Sequence, residues 1–515
     1  MKRLNPIREL LRMAGTRLVI VGLFLAVQIV LILLLVYRLF MNFWPIWYVN
    51  QALGIAIIFW LVRKDEPSTY KTIWIIIIMT VPTLGGILYL LLEENPHIKR
   101  MDARINRESK KAADLVQGES TQHQVEVDSR AAGCSNYIRR VSPYHPYQNT
   151  ASKYYPFGEL MFEDMLAELS RAERFIFVEY FIIYKSNMWD QMIEIMLQKA
   201  EAGVDVRIIF DDLGASKLFT TSYVKYLRGK KIKVVRFNPM TPVLSLFMNN
   251  RNHRKMLVID GYTAFNGGIN IGDEYINQNS KFGVWKDAGV RLTGEAVLSF
   301  THMFIKIWNS FCKSKERIKD HLSYKSTADF SGLSDGMIMP YDDSPLNNEQ
   351  IGESVYIDIL GQAKRYVYIF SPYLILSESM IYALRMAAKR GVDVRIVTPG
   401  IPDKKSVHRL SRSYYGYLLR SGVRIYEYTP GFMHAKNFVS DDEIAVVGTI
   451  NLDYRSLYLH FECATLLYNT STIKEIKADC DKTMAESREI LQKQEKRGIW
   501  GGFIDAILRL LAPLM

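Results

Sequence analysis

Gly203-Val-Asp-Val-Arg-Ile208 returns letter for letter at Gly391-Val-Asp-Val-Arg-Ile396, and the same succession of elements leads up to both copies. In the first, Phe157 to Arg174 has helical periodicity, Phe175-Ile-Phe-Val-Glu179 reads as a short buried strand, and a helix then runs to the hexapeptide. In the second, Ile351 to Ala363 is helical, Val367-Tyr-Ile-Phe370 is the strand, and another helix follows. Almost wholly apolar strands alternating with helices predict an α/β sheet covered on both faces. A repeat this long predicts two duplicated domains rather than a solenoid. The first is expected over residues 151–315 and the second over 336–475. The stretch from Lys313 to Met337, with Lys315, Glu316, Arg317 and Lys319, reads as a polar connection.

Near the end of each unit sits one constellation. His253, Lys255, Asp260, Gly267 and Asn270 lie in NHRKMLVIDGYTAFNGGIN, and His434, Lys436, Asp441, Gly448 and Asn451 in MHAKNFVSDDEIAVVGTIN. The offsets from each histidine are +2, +7, +14 and +17 in both. A chance match is on the order of 1 in 100,000 per histidine, so coincidence is excluded. Residues two apart on a strand share a face, so each imidazole and ammonium project together. Asp260-Gly261 predicts the turn of a hairpin, with Phe265 opening the return strand and Asn270 at its exit.

Two such hairpins face to face would gather two His, two Lys and two Asn round one pocket. That set suits a phosphodiester. The lysines and amides hold non-bridging oxygens, one imidazole attacks phosphorus, and the other protonates the leaving alkoxide. A metal centre would want histidines converging with carboxylates. Here each histidine has a lysine beside it, which repels a cation, so neither metal nor other cofactor is expected. His97, His123, His145, His302, His321 and His460 are read as ordinary core or surface residues, and His408 as a pocket candidate.

These residues reproduce the repeated H-x-K-x4-D-x6-G-x2-N pattern and resemble the phospholipase D superfamily. Tyr155-x-x-Gly158-Glu159, Phe210-Asp211-Asp212-Leu213-Gly214, Trp285-Lys286-Asp287, Ser371-Pro372-Tyr373, Asn451-Leu-Asp-Tyr-Arg-Ser456 and Phe461-Glu462 are similar to its bacterial cardiolipin synthases. The resemblance implies a pair of α/β sandwiches with one active site and a phosphohistidine intermediate formed without metal. It makes His253, Lys255, Asp260, His434, Lys436 and Asp441 the catalytic set, with Asn270 and Asn451 binding substrate. His253 would be the nucleophile and His434 the general acid, though the residues alone allow the reverse. A carboxylate beyond each motif would orient its histidine: Glu462, buried in the apolar run Cys463-Ala-Thr-Leu-Leu467, for His434, and Asp287 for His253.

The front of the chain differs in character. Val19–Val36, Ile46–Val62 and Ile73–Leu92 are apolar stretches, read as transmembrane helices within residues 1–95. Lys2, Arg3, Arg8, Arg12 and Arg17, then Arg63, Lys64 and Lys71, then Lys99, Arg100, Arg104 and Arg107 all carry the mark of a cytoplasmic side. Three full crossings cannot satisfy that, and Pro82 with Gly85-Gly86 makes the third stretch the one expected to bend or re-enter. Residues 96–150 read as a linker, and 476–515 as C-terminal helices. Ile499, Phe503, Ile507, Leu510, Leu511 and Leu514 there form an amphipathic face suited to a membrane interface, behind Lys493, Lys496 and Arg497.

A net charge of +12 over 515 residues suits anionic partners. Cys134, Cys312, Cys463 and Cys480 match neither a metal knuckle nor a disulfide framework. The expected function is phosphatidyl transfer between two phosphatidylglycerols in a bacterial cell membrane, giving cardiolipin and glycerol, with the catalytic domains cytoplasmic. Phosphatidylethanolamine is a second acceptor candidate, and a homo-oligomer is left open. A phospholipase D-type hydrolase or membrane-tethered nuclease is the alternative, but no aromatic-basic groove is evident, so no nucleic acid partner is expected. A lipid-binding scaffold with a dead site would not need to keep both motifs in register.

Overall fold

The computed structural model describes residues 26–35, 37–38, 44–64, 67–93, 103–111, 129–239, 250–278, 281–312, 330, 332–333, 335–346, 349–492 and 498–514. The chain forms two compact units, residues 1–99 with 240–248, and the remainder.

In the first unit the helices Trp44–Arg63, Ser68–Thr80 and Pro82–Glu93 pack on one another. Leu61, Ile73, Trp74, Ile78 and Tyr89 form the core, with the Tyr89 ring edge-on to Trp60 at 5.6 Å and to Trp74 at 5.3 Å. The stretch Ile73–Leu92 is split at Val81, and a Cβ on Gly85 would lie 2.9 Å from the Ile78 Cα. Only glycine lets the second helix turn back this tightly on the first. Phe59, Ile76, Met79, Ile87 and Leu90 point outward. Among the described residues no helix is long and apolar enough to cross a membrane. Of the expected span Val19–Val36 the described residues 26–35 are helical, Ile46–Val62 carries Asn50 and Gln51 mid-helix, and the third expected span is two short helices.

The second unit contains both repeats. Its strands are β1 Thr150–Tyr155, β2 Phe175–Tyr180, β3 Asp205–Asp211, β4 Lys233–Phe237, β5 Lys255–Ile259, β6 Thr263–Gly267, β7 Val284–Lys286, β8 Gly289–Gly294, β9 Met337–Asp343, β10 Tyr366–Phe370, β11 Asp393–Pro399, β12 Arg424–Tyr428, β13 Gly431–Met433, β14 Asn437–Ser440, β15 Ile444–Gly448, β16 Glu462–Tyr468 and β17 Ser487–Glu489. They build a sheet in the order β1-β8-β6-β5-β2-β3-β4, a sheet in the order β17-β12-β11-β10-β14-β15-β16-β9, and the two-stranded pair β13-β7.

The duplication is visible in each sheet. A parallel trio, β2-β3-β4 or β10-β11-β12, is extended by an antiparallel hairpin, β5-β6 or β14-β15. The crossover helices Asn187–Glu201 and Glu378–Lys389 are capped by Ser186 and Ser377, whose hydroxyls accept from Trp189 N and Met380 N. Gly203 and Gly391, at φ 99° and 93°, then reverse the chain into β3 and β11, a left-handed conformation that suits glycine. In both copies the repeated arginine pairs with the aspartate two residues earlier, Arg207 with Asp205 and Arg395 with Asp393.

The two sheets are cross-braced. The helix Val297–Phe311 of the first half packs on its own sheet and on β9 of the second. The helix Thr472–Ala485 of the second half packs on β1 of the first. Asp342 of β9 takes Lys306 from the first brace at 2.5 Å and Arg254 from the first hairpin, and Arg254 also faces Glu179 at 3.6 Å. Asp479 of the second brace holds Lys286 at 2.7 Å.

Several expected boundaries shift. Residues 129–141 are not linker but the helix Ser129–Val141, packed on the helix Ile351–Gln362 through a Cys134 Sγ to Asp358 bond of 2.8 Å. The expected break at 475 cuts the helix Thr472–Ala485, and β17 beyond it completes the second sheet. Most of the connection Lys313–Met337, together with Lys493, Lys496 and Arg497, lies outside the described residues.

Candidate active site

The motif hairpins form as the spacing predicts, but each histidine precedes its strand. β5 begins at Lys255 and β14 after Lys436, so strand pleating does not set the histidine rings. The opposite half does. His253 N donates to Phe461 O at 2.9 Å, and His434 N to Lys286 O at 2.7 Å. The next residue in each case supplies the carboxylate. Glu462 accepts from His253 Nδ1 at 2.8 Å, and Asp287 from His434 Nδ1 at 2.6 Å. The expected pairing is therefore corrected: Glu462 serves His253 and Asp287 serves His434, because the pair β13-β7 and the bridge Asn252–Phe461 exchange the two chain segments.

The lysines bond back to their own motifs, Lys255 Nζ to His253 O at 2.6 Å and Lys436 Nζ to His434 O. Asn270 accepts from Ile182 N through Oδ1 at 3.2 Å and is buried, as is Asn451, whose Oδ1 has no hydrogen-bond partner among the described residues. Asp260 and Asp441 are also corrected. They sit at the hairpin turns with φ of 53° and 56° and are wholly buried. Asp260 accepts from the backbone N–H of Glu173, Arg174 and Phe175, and Asp441 from those of Lys364, Arg365 and Tyr366. Carboxylates so committed fix the hairpin to the neighbouring strand and are not available for chemistry.

Burial and mutual repulsion govern the protonation of the site. Burial lowers the His253 imidazole well below its ordinary range, helped by the charges of Lys255, His460, Lys436 and His434. His434 falls to about 4 through burial and Lys436. The two histidines and two lysines thus feel one another, as members of one site. Burial brings Lys255 down to about 7, against the pull of Glu462, and Lys436 to about 8. The two carboxyls differ. Burial pushes Asp287 up, but His434 and Lys436 outweigh it and hold it low. Burial pushes Glu462 up to about 8 despite Lys255 and the hydroxyls of Thr449 and Ser456. The surroundings differ too: Phe181 lies 5.1 Å from the His253 ring, while Tyr275, Trp285 and Phe432 enclose His434 at 5.6, 5.3 and 5.8 Å.

One residue of the cluster was dismissed on sequence. His460 is buried with its ring 5.3 Å from that of His253. Its only sequence signal is its place two residues before Glu462. With His253 and Glu462 it forms the one group of metal-ligand type among the described residues, donor atoms within 4.8 Å. Glu462 is already taken by His253, Thr449 and Ser456, and Lys255 adjoins, so the cluster suits an anion better than a cation.

Two His-x-Lys hairpins, fused in one chain and sharing a buried site, define the phospholipase D class of fold. A family model described as "Cardiolipin synthase, PLD-like domain" matches residues 165–308 and 356–484, and one described as "Phospholipase_D-nuclease N-terminal" matches 52–93. An uncharacterized protein of Streptococcus mutans is 42% identical over 464 residues, 90% of this chain and 100% of its own. The cardiolipin synthase of Alkalihalophilus pseudofirmus is 31% identical over 487 residues, 93% of this chain and 96% of its own. That of Staphylococcus aureus is 32% identical over 483 residues, covering 90% and 95%. The crystal structure of a phosphatidylserine synthase from Haemophilus influenzae shares the fold, with a TM-score of 0.52 at 14% identity over 70% of this chain and 93% of that one. The chain belongs to the cardiolipin synthase family of phospholipase D-like enzymes.

Proposed function

We propose that this chain is a cardiolipin synthase that moves a phosphatidyl group from one phosphatidylglycerol to the terminal hydroxyl of another, releasing glycerol. The observation that supports it is the exchange of carboxylates between halves, which fits both imidazoles serving one phosphorus. His253, with Nδ1–H on Glu462, presents Nε2 to phosphorus and becomes the phosphohistidine. Lys255, Lys436, Asn270 and Asn451 hold the non-bridging oxygens. His434, steadied by Asp287, protonates the leaving glycerol, then takes the proton of the incoming hydroxyl. An anionic phosphodiester between the lysines offsets their repulsion and raises His434 towards the protonated form that the first step needs. Both histidines are about 8% exposed, and the aromatic rings round His434 keep water from competing for the phosphoenzyme.

The N-terminal unit, with its apolar outer surface, would sit in the cell membrane. A helix pair that turns back at Val81–Pro82 returns to the side it entered from, which accommodates the charge pattern of Arg63, Lys64, Lys99 and Arg100 with the catalytic unit cytoplasmic. The helix Ile499–Leu511 would lie against the membrane surface. The test is purified protein with headgroup-labelled phosphatidylglycerol, with and without phosphatidylethanolamine. Cardiolipin and free glycerol are expected; phosphatidate as the sole lipid product would make the protein a hydrolase.

A further inference from the structure

The two ends of the site are built on the same register, which makes a difference at matching positions informative. Phe461 and Lys286 accept the backbone N–H of the two catalytic histidines, and Glu462 and Asp287 follow them. One step earlier stand His460 and Trp285, each 5.3 Å from the histidine it flanks. Where one half places an indole, whose single N–H is likewise buried without a partner among the described residues, the other places an imidazole with two ring nitrogens. That imidazole is 91% buried, from an exposure of 9%, yet neither ring nitrogen has a hydrogen-bond partner among the described residues. Glu462 Oε1 is 3.8 Å from its Nδ1, beyond bonding distance. A buried donor left unmatched costs free energy, so a ligand is the natural partner.

The charge around His460 says which. Beyond burial, the cations that lower its pKa are Arg455, Lys255 and Arg251. Three cations around a neutral N–H favour an oxyanion over an ammonium headgroup. We infer that His460 is a further substrate-binding residue, whose ring N–H donates to a phosphate oxygen of the bound phospholipid. This rests on the phosphatidyl-transfer reading. The reaction brings two phosphates into the site, that of the donor lipid and that of the acceptor phosphatidylglycerol, and both offer the same oxygens.

The full chain is assayed as wild type, H460F, which removes the ring N–H, and H460Q, which keeps an N–H. Orthovanadate inhibition reads oxyanion binding at the reacting centre. Ethanol, an acceptor without phosphate, is compared with phosphatidylglycerol as acceptor. If His460 holds the donor phosphate, H460F weakens vanadate inhibition about tenfold, roughly 1.4 kcal/mol, and slows transfer to both acceptors. If it holds the acceptor phosphate, vanadate inhibition and transfer to ethanol persist while the KM for acceptor phosphatidylglycerol rises about tenfold. H460Q recovers most of either loss. Unchanged vanadate inhibition together with unchanged acceptor KM in H460F overturns the inference. Should H460F not fold, H460Q decides: near wild-type values support the inference, and losses beyond tenfold in both readouts overturn it. A wild type that yields only phosphatidate refutes the transfer reading instead, while the vanadate comparison still tests His460.

Discussion

His253 Nδ1 and Glu462 Oε1, 2.8 Å apart, come from opposite halves of the duplicated fold. The mirror relation holds for His434 and Asp287 at 2.6 Å. Neither half therefore contains a complete catalytic imidazole. Replacing Glu462 by Gln should lower the rate of phosphohistidine formation by about 100-fold or more, since the proton then has no anionic acceptor to hold it on Nδ1. Asp287→Asn should slow both steps, because His434 must give a proton to the leaving glycerol and then take one from the incoming hydroxyl. Rapid quench of a headgroup-labelled substrate separates the two, and wild-type rates in E462Q would remove the dyad from the mechanism.

His253→Ala should abolish product formation, because no other imidazole in the site is aimed at phosphorus by a carboxylate on its Nδ1 except His434. His434→Ala should also lose turnover and label His253 poorly from phosphatidylglycerol, because the leaving glycerol then has no acid. A phosphatidyl donor with a p-nitrophenolate leaving group, which needs no proton, should restore lipid label on His253, revealed as an alkali-stable, acid-labile adduct by peptide mass spectrometry. Label on His434 in a His253→Ala protein would exchange the two roles.

The pH profile follows from opposed titrations. Lys255 at about 7 and Lys436 at about 8 must be protonated to hold phosphate, and both lose the proton as pH rises. Glu462, at about 8, must be ionised to keep the proton on His253 Nδ1, and it loses charge as pH falls. KM should therefore climb on the alkaline side and kcat fall on the acid side, giving a bell in the rate at low substrate. Lys255→Arg, which cannot deprotonate, should flatten the alkaline rise in KM. A rise that is unchanged in that variant would assign it to another group.

Asp260 separates architecture from chemistry. Its three backbone N–H bonds lock the turn of the first hairpin to the start of β2, so Asp260→Ala should cost about 1–3 kcal/mol of stability. The loss is read by denaturant titration of the solubilised protein. Activity per folded molecule should stay within about threefold, since the carboxylate does not reach the site, and a collapse in kcat at full folding would restore it to the catalytic group.

The repeat Gly203–Ile208 and Gly391–Ile396, and the offsets from His253 and His434, were enough to read the duplicated α/β fold and the members of one site, because strand and turn preferences are local. What the spacing could not carry is which half each carboxylate faces. Glu462 is near His434 along the chain but near His253 in space, and the bridge Asn252–Phe461 decides that, as the pair β13-β7 does for Asp287 and His434. His460 was hidden for the same reason: a lone histidine has no pattern until Trp285 shows what its position means. The turn aspartates were misread because a constant position in a motif does not distinguish a reacting group from one that pins the backbone. The N-terminal stretches read as spans by hydropathy, which does not register the turn at Val81; Pro82 and Gly85-Gly86 are the residues that marked the bend in the third stretch.

The last helix is docked on the catalytic unit and still presents an apolar face. Ile499–Leu511 is fixed to the helix Lys405–Leu419 by its polar side: Arg409 Nε to Asp505 Oδ1 at 3.0 Å, and Arg509 Nε to Ser413 Oγ at 2.9 Å. Its apolar side is left outward, with Trp500 80% and Phe503 61% exposed. An amphipathic helix that turns its polar face to the protein has no aqueous reason to form, and a bilayer interface supplies one. Replacing Trp500 and Phe503 together by Ser should leave the Arg409–Asp505 contact and the fold intact, because neither ring contributes to that docking. Removing two exposed aromatic side chains should weaken binding of the catalytic unit to vesicles by about 2 kcal/mol or more, on the order of thirtyfold. A protein spanning residues 100–515, once shown to fold, can be tested by flotation with phosphatidylglycerol liposomes. Equal flotation of the double variant would leave the outward face without a membrane role, and a lower melting temperature would show that the rings pack on the protein after all.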